Sequence, residues 1–279
     1  MRRDLSVLVA AAMALAGCAA ESPAAQVVEP AVTTATATAA PSSTTNTPDA
    51  GDLVGRWAHF DVVAYEGDGM KTLIISYGFN DFTVVDGRLV DTASFCFAEQ
   101  RTDQPIETSL SDAATQAIRP PATPVEVDIV DGQLHIRRPA SPTPVGIRLD
   151  DPSTESLPAD PDDPRIVDDD GDGKPGITVT IRVGDGLTGE LYLARREIFA
   201  WEAFLVDTDT ITGTVTDTSE QLVLGASDPI FATAGSGWVQ LSDLSRSPLV
   251  LRRVDPTWDC ARLALEADTL FPSVPDIDW

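Results

Sequence analysis

Residues 177–183 read Ile-Thr-Val-Thr-Ile-Arg-Val, and this stretch decides the fold class. Its apolar and polar side chains alternate, so an extended strand here has one apolar face and one polar face. Such alternation is typical of an antiparallel sheet with one face in water. Stretches rich in Val, Ile, Thr and aromatic residues predict further strands at residues 57–65, 72–77, 82–85, 89–97, 125–130, 134–137, 187–193, 199–206, 210–216, 221–224 and 249–254.

Tight turns separate several of these predicted strands. Asp-Gly pairs occur at Asp86-Gly87, Asp131-Gly132 and Asp185-Gly186. Both central residues of a type I′ hairpin turn need positive φ, which Asp-Gly tolerates. Roughly ten to twelve short strands joined in this way predict a mostly β fold. The sequence leaves two architectures open, an antiparallel meander barrel and a sandwich.

One short helix is predicted at the C-terminal end of the chain. Asp255 followed by Pro256 is typical of a helix N-cap and the first helical position. Apolar residues then recur at helical spacing, which gives the helix one apolar face, and Pro272 ends it. The residues of that face are Cys260, Leu263, Ala267 and Leu270.

The tripeptide Gly55-Arg56-Trp57 stands near the start of the first predicted strand and resembles the opening G-x-W of lipocalin-type barrels. The resemblance implies a lipocalin-like barrel whose tryptophan packs across one end beneath an arginine from a late strand. Arg252 and Arg253 are the candidates for that arginine. The alternative interpretation is an ordinary core tryptophan behind a glycine turn.

The tetrapeptide Leu15-Ala16-Gly17-Cys18 ends an uncharged apolar run that begins at Leu5 and is too short to span a membrane. It resembles the lipobox of bacterial lipoproteins. The resemblance implies a signal peptide over residues 1–17 and a lipid on Cys18 that anchors the chain to a membrane. Ala19 stands where an aspartate would retain such a lipoprotein at the inner membrane, so the outer membrane is expected. An ordinary secretory signal is the alternative.

Composition divides the rest of the chain into two parts. Residues 18–50, after the signal, are mostly Ala, Thr, Ser and Pro, which predicts a lipidated, disordered tether. Residues 51–279 are predicted to form a single β domain with an acidic loop insert at 139–176. The chain has 44 acidic and 19 basic residues, a net charge of −25. Such a charge repels phosphate backbones, so no nucleic-acid partner is expected.

Two cysteines, Cys96 and Cys260, remain if Cys18 carries the lipid. In an oxidising compartment they are expected to form a disulfide, with two buried free thiols as the alternative. A catalytic cysteine is not expected, because His59 and His135 are the only histidines that could act as its base and both lie in predicted strands.

The stretch Asp168-Asp169-Asp170-Gly171-Asp172-Gly173-Lys174-Pro175-Gly176 carries the sharpest chemical pattern in the chain. Carboxylates at positions 1, 3 and 5 with glycine at position 6 match the first half of an EF-hand calcium loop. The stretch also resembles the D-x-D-G-D-G-x-P-G loops of exported bacterial proteins. We therefore predict a structural Ca²⁺ site with three side-chain ligands, Asp168, Asp170 and Asp172, and the Lys174 carbonyl as a fourth.

Position 12 of this loop is Val179, where an EF-hand has its bidentate glutamate. A further ligand must then come from elsewhere, and Asp162, Asp163 and Glu190 are the candidates. The alternative is a solvated Asp/Gly turn that holds no metal.

The chain contains no G-x-S-x-G, no Walker loop, no H-E-x-x-H and no C-x-x-C. Ser236 lies in a predicted turn and is not expected to be a nucleophile. The leading hypothesis is a non-enzymatic, lipid-anchored outer-membrane β protein that binds a small apolar ligand or an envelope protein. Two alternatives stay open, an envelope hydrolase that uses carboxylates and a purely structural envelope protein.

Overall fold

Antiparallel strands dominate the computed structural model, which describes residues 49–67, 69–184, 186–232 and 238–279. The described α-helices are α1 (Asp112–Gln116) and α2 (Cys260–Leu270), and short 3₁₀ helices span Ala50–Leu53, Pro229–Phe231 and Leu244–Arg246. The described strands are β1 (Gly55–Gly67), β2 (Met70–Val85), β3 (Arg88–Thr102), β4 (Ile106–Leu110), β5 (Thr123–Pro124), β6 (Glu126–Val130), β7 (Gln133–Arg138), β8 (Thr143–Val145), β9 (Ile177–Val183), β10 (Leu187–Glu197), β11 (Phe199–Asp207), β12 (Thr210–Asp217), β13 (Glu220–Ala226), β14 (Val239–Gln240) and β15 (Pro248–Val254).

The larger sheet has the strand order β5-β3-β2-β1-β15-β12-β11-β7-β6, with β14 paired to the end of β1. Its two edge strands, β5 and β6, are consecutive in the chain and are separated only by Val125, so the edges of the sheet nearly meet. The protein is therefore mostly β, with a nearly closed antiparallel barrel and a short C-terminal helix. This confirms the fold class predicted from the sequence, with the barrel rather than the sandwich as its main architecture.

Side chains fill the barrel at one end. Trp57 and Val63 of β1 belong to the interior core, whereas Phe60 and Val62 belong to a second core on the outer face. The outer core is covered by α2 and the residues that follow it, where the Phe271 ring lies 5.6 Å from the Phe60 ring. The C-terminal helix therefore seals the outside of β1 and β2.

Trp57 closes this filled end of the barrel. The guanidinium of Arg253 stacks 4.2 Å from the centre of its ring. Arg253 also donates to the Val54 carbonyl at 3.0 Å, and the indole N–H donates to the Leu53 carbonyl at 2.9 Å. Of the two arginines named from the sequence, Arg253 covers the tryptophan, whereas Arg252 bonds Thr210. The arrangement is compatible with a lipocalin-like barrel.

A second antiparallel sheet has the order β13-β10-β9-β4, with β8 paired to β10. Its apolar side chains form a third core, which includes Ile181 and Leu193. The barrel strands β1 to β3 are 13 to 16 residues long, and they serve both the barrel and this second sheet. Ile74 of β2, for example, packs against the barrel core and also faces β9 and β10.

β2 is one continuous strand, although the sequence predicts separate strands at 72–77 and 82–85. The intervening Asn80 is buried, and its amide donates to both carboxylate oxygens of Asp91 at 2.8 and 2.9 Å. Gly78 pairs with His59 across the ladder, and a Cβ at Gly78 would lie 2.7 Å from the His59 ring. Asn80, which lies between the two predicted strands, therefore belongs to β2 and forms a buried polar layer with Asp91 inside the barrel.

The predicted start of the C-terminal helix was wrong. α2 begins at Cys260, with Asp259 as its N-cap accepting the Arg262 N–H at 2.9 Å. Asp255 instead accepts the Thr257 N–H at 2.9 Å and closes a separate turn. The helix ends at Leu270, before Pro272, as predicted.

The turn and disulfide predictions are confirmed where the structure describes them. Asp86 and Asp131 have φ of 49° and 51°, whereas Asp185 lies outside the described residues. Cys96 and Cys260 are bonded across 164 residues. Cys96 is the extra residue at a β-bulge, where the ladder between β2 and β3 shifts register. The bond ties β3 to the first turn of α2.

Candidate functional site

An apolar cavity of about 590 Å³ lies between the second sheet and the inner face of β2 and β3. Volumes of roughly 300–1,000 Å³ with apolar walls and a few polar groups are typical of small-molecule sites. The aliphatic wall includes Ile74, Ile106, Leu110, Val179, Ile181, Val183, Leu187, Leu191 and Leu193.

The alternation in residues 177–183 builds one wall of this cavity. Val179, Ile181 and Val183 line it, whereas Arg182 pairs with Glu107 of the neighbouring strand at 3.0 Å. The apolar face of residues 177–183 therefore lines this cavity and also packs in the third core.

One end of the cavity, which we call the rim, is bordered by Gly69, Gln104, Leu187 and Ile230. Gly69 and Gln104 belong to the turns that follow β1 and β3, and Leu187 is the first residue of β10. Leu187 is 47% exposed and Ile230 is 63% exposed. Exposed apolar side chains are ordinary one by one, but these two border the same apolar cavity.

The other end, which we call the floor, is polar and consists of Arg195 and Gln221. Arg195 lies eight residues beyond Leu187 on β10 (195 − 187 = 8), roughly 27 Å at about 3.4 Å per residue. Arg195 Nε lies 2.6 Å from Glu197 Oε1, and Nη1 donates to Gln221 Oε1 at 3.2 Å. The cavity is therefore a long slot with a polar inner end and a mainly apolar wall, which also includes Gln100 and Thr108.

Two carboxyl groups, those of buried Glu197 and half-buried Asp217, lie behind the floor and share one serine. The Ser219 hydroxyl bonds Glu197 Oε2 at 3.0 Å and also contacts Asp217, which the Tyr65 hydroxyl bonds from the other side. Burial and the Glu197 charge raise the pKa of Asp217, and burial raises the pKa of Tyr65.

A smaller chamber of about 40 Å³ lies inside the barrel, lined in part by His59, Asp61, Asn80 and Arg138. His59 Nε2 lies 3.7 Å from Asp61 Oδ1, and neither ring nitrogen makes a hydrogen bond to a described residue. Burial lowers the pKa of His59 to about 4 and raises the pKa of Asp61 to about 8. Both groups are therefore mostly uncharged near neutral pH. The chamber has room for a few water molecules but not for an organic ligand.

The three predicted calcium ligands converge. One oxygen from each of Asp168, Asp170 and Asp172 lies within 4.8 Å of the others, a geometry that can hold a metal ion. Asp168 accepts the Gly171 N–H at 2.7 Å, which curls the loop around its carboxylate. Asp170 accepts the Thr178 N–H at 2.9 Å, and Asp172 accepts the Thr178 hydroxyl at 2.6 Å. The cluster is therefore fixed to the start of β9, the strand that lines the cavity.

The donor set fits a hard cation. Asp170 Oδ1 is buried and has no hydrogen-bond partner among the described residues. Three carboxylates are oxygen ligands, which suit calcium better than a transition metal. The ammonium of Lys174 lies 3.5 Å from Asp172 Oδ2 and donates to Glu190 Oε2 at 2.6 Å, so a lysine partly offsets the negative charge.

The candidates for a further calcium ligand lie at the edge of this group. Among the described residues, the converging cluster contains only the three aspartates. Asp163 is held by Arg165 at 2.9 Å, and Asp162 donates its N–H to Asp160. Glu190 reaches the loop through its bond to Lys174 and is the candidate that the structure links to it.

Arginines hold the acidic insert at 139–176 together and attach it to β10. Arg148 pairs with Asp169 at 2.5 Å, and Arg165 bridges Asp163 and Glu155. Arg196 of β10 donates to the Pro152 carbonyl at 3.1 Å. Sequence reasoning missed these contacts, because the arginines are spread over about 50 residues of chain.

Of the other residues that the sequence singled out, those that the structure describes do not form a site. Cys18 and Ser236 lie outside the described residues. His135 is in β7, as predicted, stacked 4.6 Å from the Phe204 ring and 3.0 Å from Asp128. Glu197 and Asp217 are the closest match to the paired carboxylates of a hydrolase, but neither belongs to the cavity wall among the described residues.

Arg195 is the polar site residue that sequence reasoning missed. It occupies a position of β10 where the alternation of Leu191 and Leu193 calls for another inward apolar side chain. A charged residue on the inward face of a predicted strand is the signal that could have found it. The cavity itself has no sequence signal, because an apolar side chain that lines a cavity reads like one in a packed core.

No family model matches this chain, and no curated protein or solved structure matches it. Among the described residues, no helix combines the length and apolar character that a membrane crossing requires. The function is therefore inferred from the geometry of the chain itself.

Proposed function

We propose that this protein binds a small, mainly aliphatic molecule in the cavity between its two sheets. The observation that carries the proposal is the aliphatic lining of a space of about 590 Å³. Protein interiors are close-packed, and an empty apolar space costs stability in proportion to its size. A purely structural protein gains nothing from such a space, whereas a binding protein needs it.

Filling the cavity is expected to abolish binding. Leu191 lines the cavity and is 3% exposed, so a Leu191→Trp substitution places an indole where the ligand would lie. Fluorescence titration with the neutral probe N-phenyl-1-naphthylamine should then give at least about tenfold weaker binding than the unsubstituted chain. Leu265→Trp is the matched control, because Leu265 is 85% exposed on α2. Equal probe binding by all three proteins would contradict the proposal.

We propose further that the aspartate cluster binds Ca²⁺ and braces the start of β9. Asp168, Asp170 and Asp172 would supply carboxylate oxygens, the Lys174 carbonyl would supply a fourth ligand, and Glu190 would exchange its bond to Lys174 for the ion. Bound calcium would neutralise part of the repulsion among the aspartates. Sites in extracellular modules bind at roughly 10⁻⁴–10⁻³ M, and we place this one in that range.

Calcium at about ten times its dissociation constant should raise the melting temperature by about 3–5 °C, from roughly 1.4 kcal/mol of linkage. An Asp170→Asn variant should lose most of this shift, measured by calorimetry with and without the ion. Asp169→Asn is the matched control, because Asp169 is in the loop but pairs with Arg148 instead of the cluster. A shift that is absent in the unsubstituted chain, or retained by Asp170→Asn, would refute the site.

The lipobox resemblance supports a lipid on Cys18 that anchors the domain to a bacterial outer membrane. Two or three acyl chains give durable anchoring, since each buried CH₂ adds about 0.8 kcal/mol. A Cys18→Ser variant should therefore move from the membrane fraction to the soluble fraction with its melting temperature unchanged. Continued membrane association of that variant would overturn the anchor.

A further inference from the structure

We propose that the cavity takes its ligand polar end first and selects an uncharged amphiphile over a carboxylate. The inference rests on the proposed function, because it concerns the same cavity. Its basis is the floor, where the guanidinium of Arg195 is already neutralised by Glu197.

The slot has a direction. Its rim carries the exposed apolar side chains of Leu187 and Ile230, whereas Arg195 and Gln221 lie at the inner end. A molecule that entered with its aliphatic chain first would bring that chain against a polar floor and leave its head beside Leu187 and Ile230. An amphiphile that enters head first matches both ends, because buried polar groups need polar partners.

Arg195 has hydrogen-bonding capacity to spare but little charge to offer. A guanidinium has five N–H groups, and Arg195 directs three nitrogens to Glu197 and Gln221. The remaining N–H groups suit an acceptor oxygen on the ligand, such as that of an alcohol, ester or amide. A ligand carboxylate would need an unpaired positive charge, but the Arg195 guanidinium is already paired with Glu197, whose side chain is 5% exposed.

The groups behind the floor disfavour an anion further. Asp217 shares Ser219 with Glu197, so a ligand carboxylate would be a third acidic group around one arginine. Like charges in a partly buried site repel strongly, since the local dielectric constant is far below that of water. The floor therefore excludes a negative head while accepting a neutral one.

The test compares two ligands that share a chain length and differ in head charge. Dodecanol and dodecanoate compete at pH 8 for N-phenyl-1-naphthylamine bound to the full chain carrying Cys18→Ser, which needs no detergent. Dodecanol should displace the probe at a concentration at least about tenfold lower than dodecanoate. The Glu197→Gln substitution leaves the Arg195 charge without its partner. In this variant the affinity for dodecanoate should rise at least about tenfold relative to the affinity for dodecanol.

Glu107→Gln is the matched control. Glu107 pairs with Arg182 at 3.0 Å and is not among the residues that line the cavity, so its loss should leave the ratio of the two ligands unchanged. If the Glu197→Gln variant does not fold, the two ligands are compared over a pH series with the chain that retains Glu197. Falling pH protonates dodecanoate, so its affinity should rise relative to that of dodecanol.

Three outcomes would overturn the inference: dodecanoate binding as well as dodecanol, an unchanged ratio in Glu197→Gln, or a bound probe that neither compound displaces. Failure of the probe itself to bind would instead contradict the proposed function, so the two failures are distinguishable.

Discussion

An Arg138→Met variant is expected to lose about 3–5 kcal/mol of unfolding free energy, the range for breaking one partner out of a buried ion pair. The side chains of Arg138 and Asp91 are 3% and 0% exposed, and Arg138 Nε donates to Asp91 Oδ2 at 2.7 Å. Methionine keeps much of the volume of the arginine but leaves the Asp91 carboxylate buried without its cation. Stabilities of whole domains are roughly 5–15 kcal/mol, so this single change removes a large fraction.

The position of the pair makes the effect a test of barrel closure. Arg138 is on β7, beside one edge of the sheet, and it donates to Thr123 on the opposite edge strand β5 at 3.4 Å. It also reaches Asp91 on β3. No described ladder joins β5 to β6, and Arg138 supplies a side-chain link between the two edges of the nearly closed barrel.

Two companion variants separate charge from packing. Arg137→Met changes the neighbouring arginine, which is half-exposed and pairs with Glu126 and Asp128, and should have little effect. Combining Asp91→Asn with Arg138→Met removes the buried charge, so the double variant should be more stable than Arg138→Met alone. Urea unfolding monitored by tryptophan fluorescence measures all three. A double variant as unstable as the single one would assign the loss to packing instead of charge.

The same buried pair shows where sequence reasoning reached its limit. The strand pattern around residues 134–137 and 89–97 was correct, because period-2 alternation depends only on neighbouring residues. The pairing of Arg138 with Asp91 depends on a contact across 47 residues, which no local pattern encodes. The predicted strands at 72–77 and 82–85 leave out Gly78 and Asn80 for the same reason, since the partners of these two residues, His59 and Asp91, lie on other strands.

The candidate sites divide in the same way. Asp168, Asp170 and Asp172 could be named from the sequence, because a tight loop brings carboxylates at alternate positions together by itself. Arg195 and the cavity could not be named, because the slot exists only when the second sheet stands in front of the long strands β2 and β3. A cluster of side chains within one loop was therefore predictable from the sequence, whereas a cavity between distant strands was not.

The second large effect concerns Asp61 and the pH dependence of stability. Asp61 lies in the barrel chamber, and burial together with the Asp217 charge raises its pKa to about 8. An unfolded aspartate has a pKa of about 3.9. Between these values the folded state binds more protons than the unfolded state, so the stability contributed by Asp61 falls as pH rises from about 4 to about 8. At pH 7 that loss amounts to about 4 kcal/mol, from three pH units at about 1.36 kcal/mol each.

Asp61→Asn replaces the buried carboxylic acid by a neutral group of the same shape, so it should remove this slope. The variant should match the unsubstituted chain near pH 4 and exceed its unfolding free energy by up to about 4 kcal/mol at pH 7. His59 titrates in the other direction: its pKa of about 4 means that stability is lost as pH falls from about 6.5 towards 4, in both proteins alike.

Asp276→Asn, at an exposed aspartate near the C-terminus, is the matched control and should follow the unsubstituted chain. Urea unfolding at pH 5, 6, 7 and 8 gives the difference directly. A difference between Asp61→Asn and the unsubstituted chain that does not grow with pH would mean that Asp61 is ionised in the folded barrel, and that its charge is met within the chamber it shares with His59.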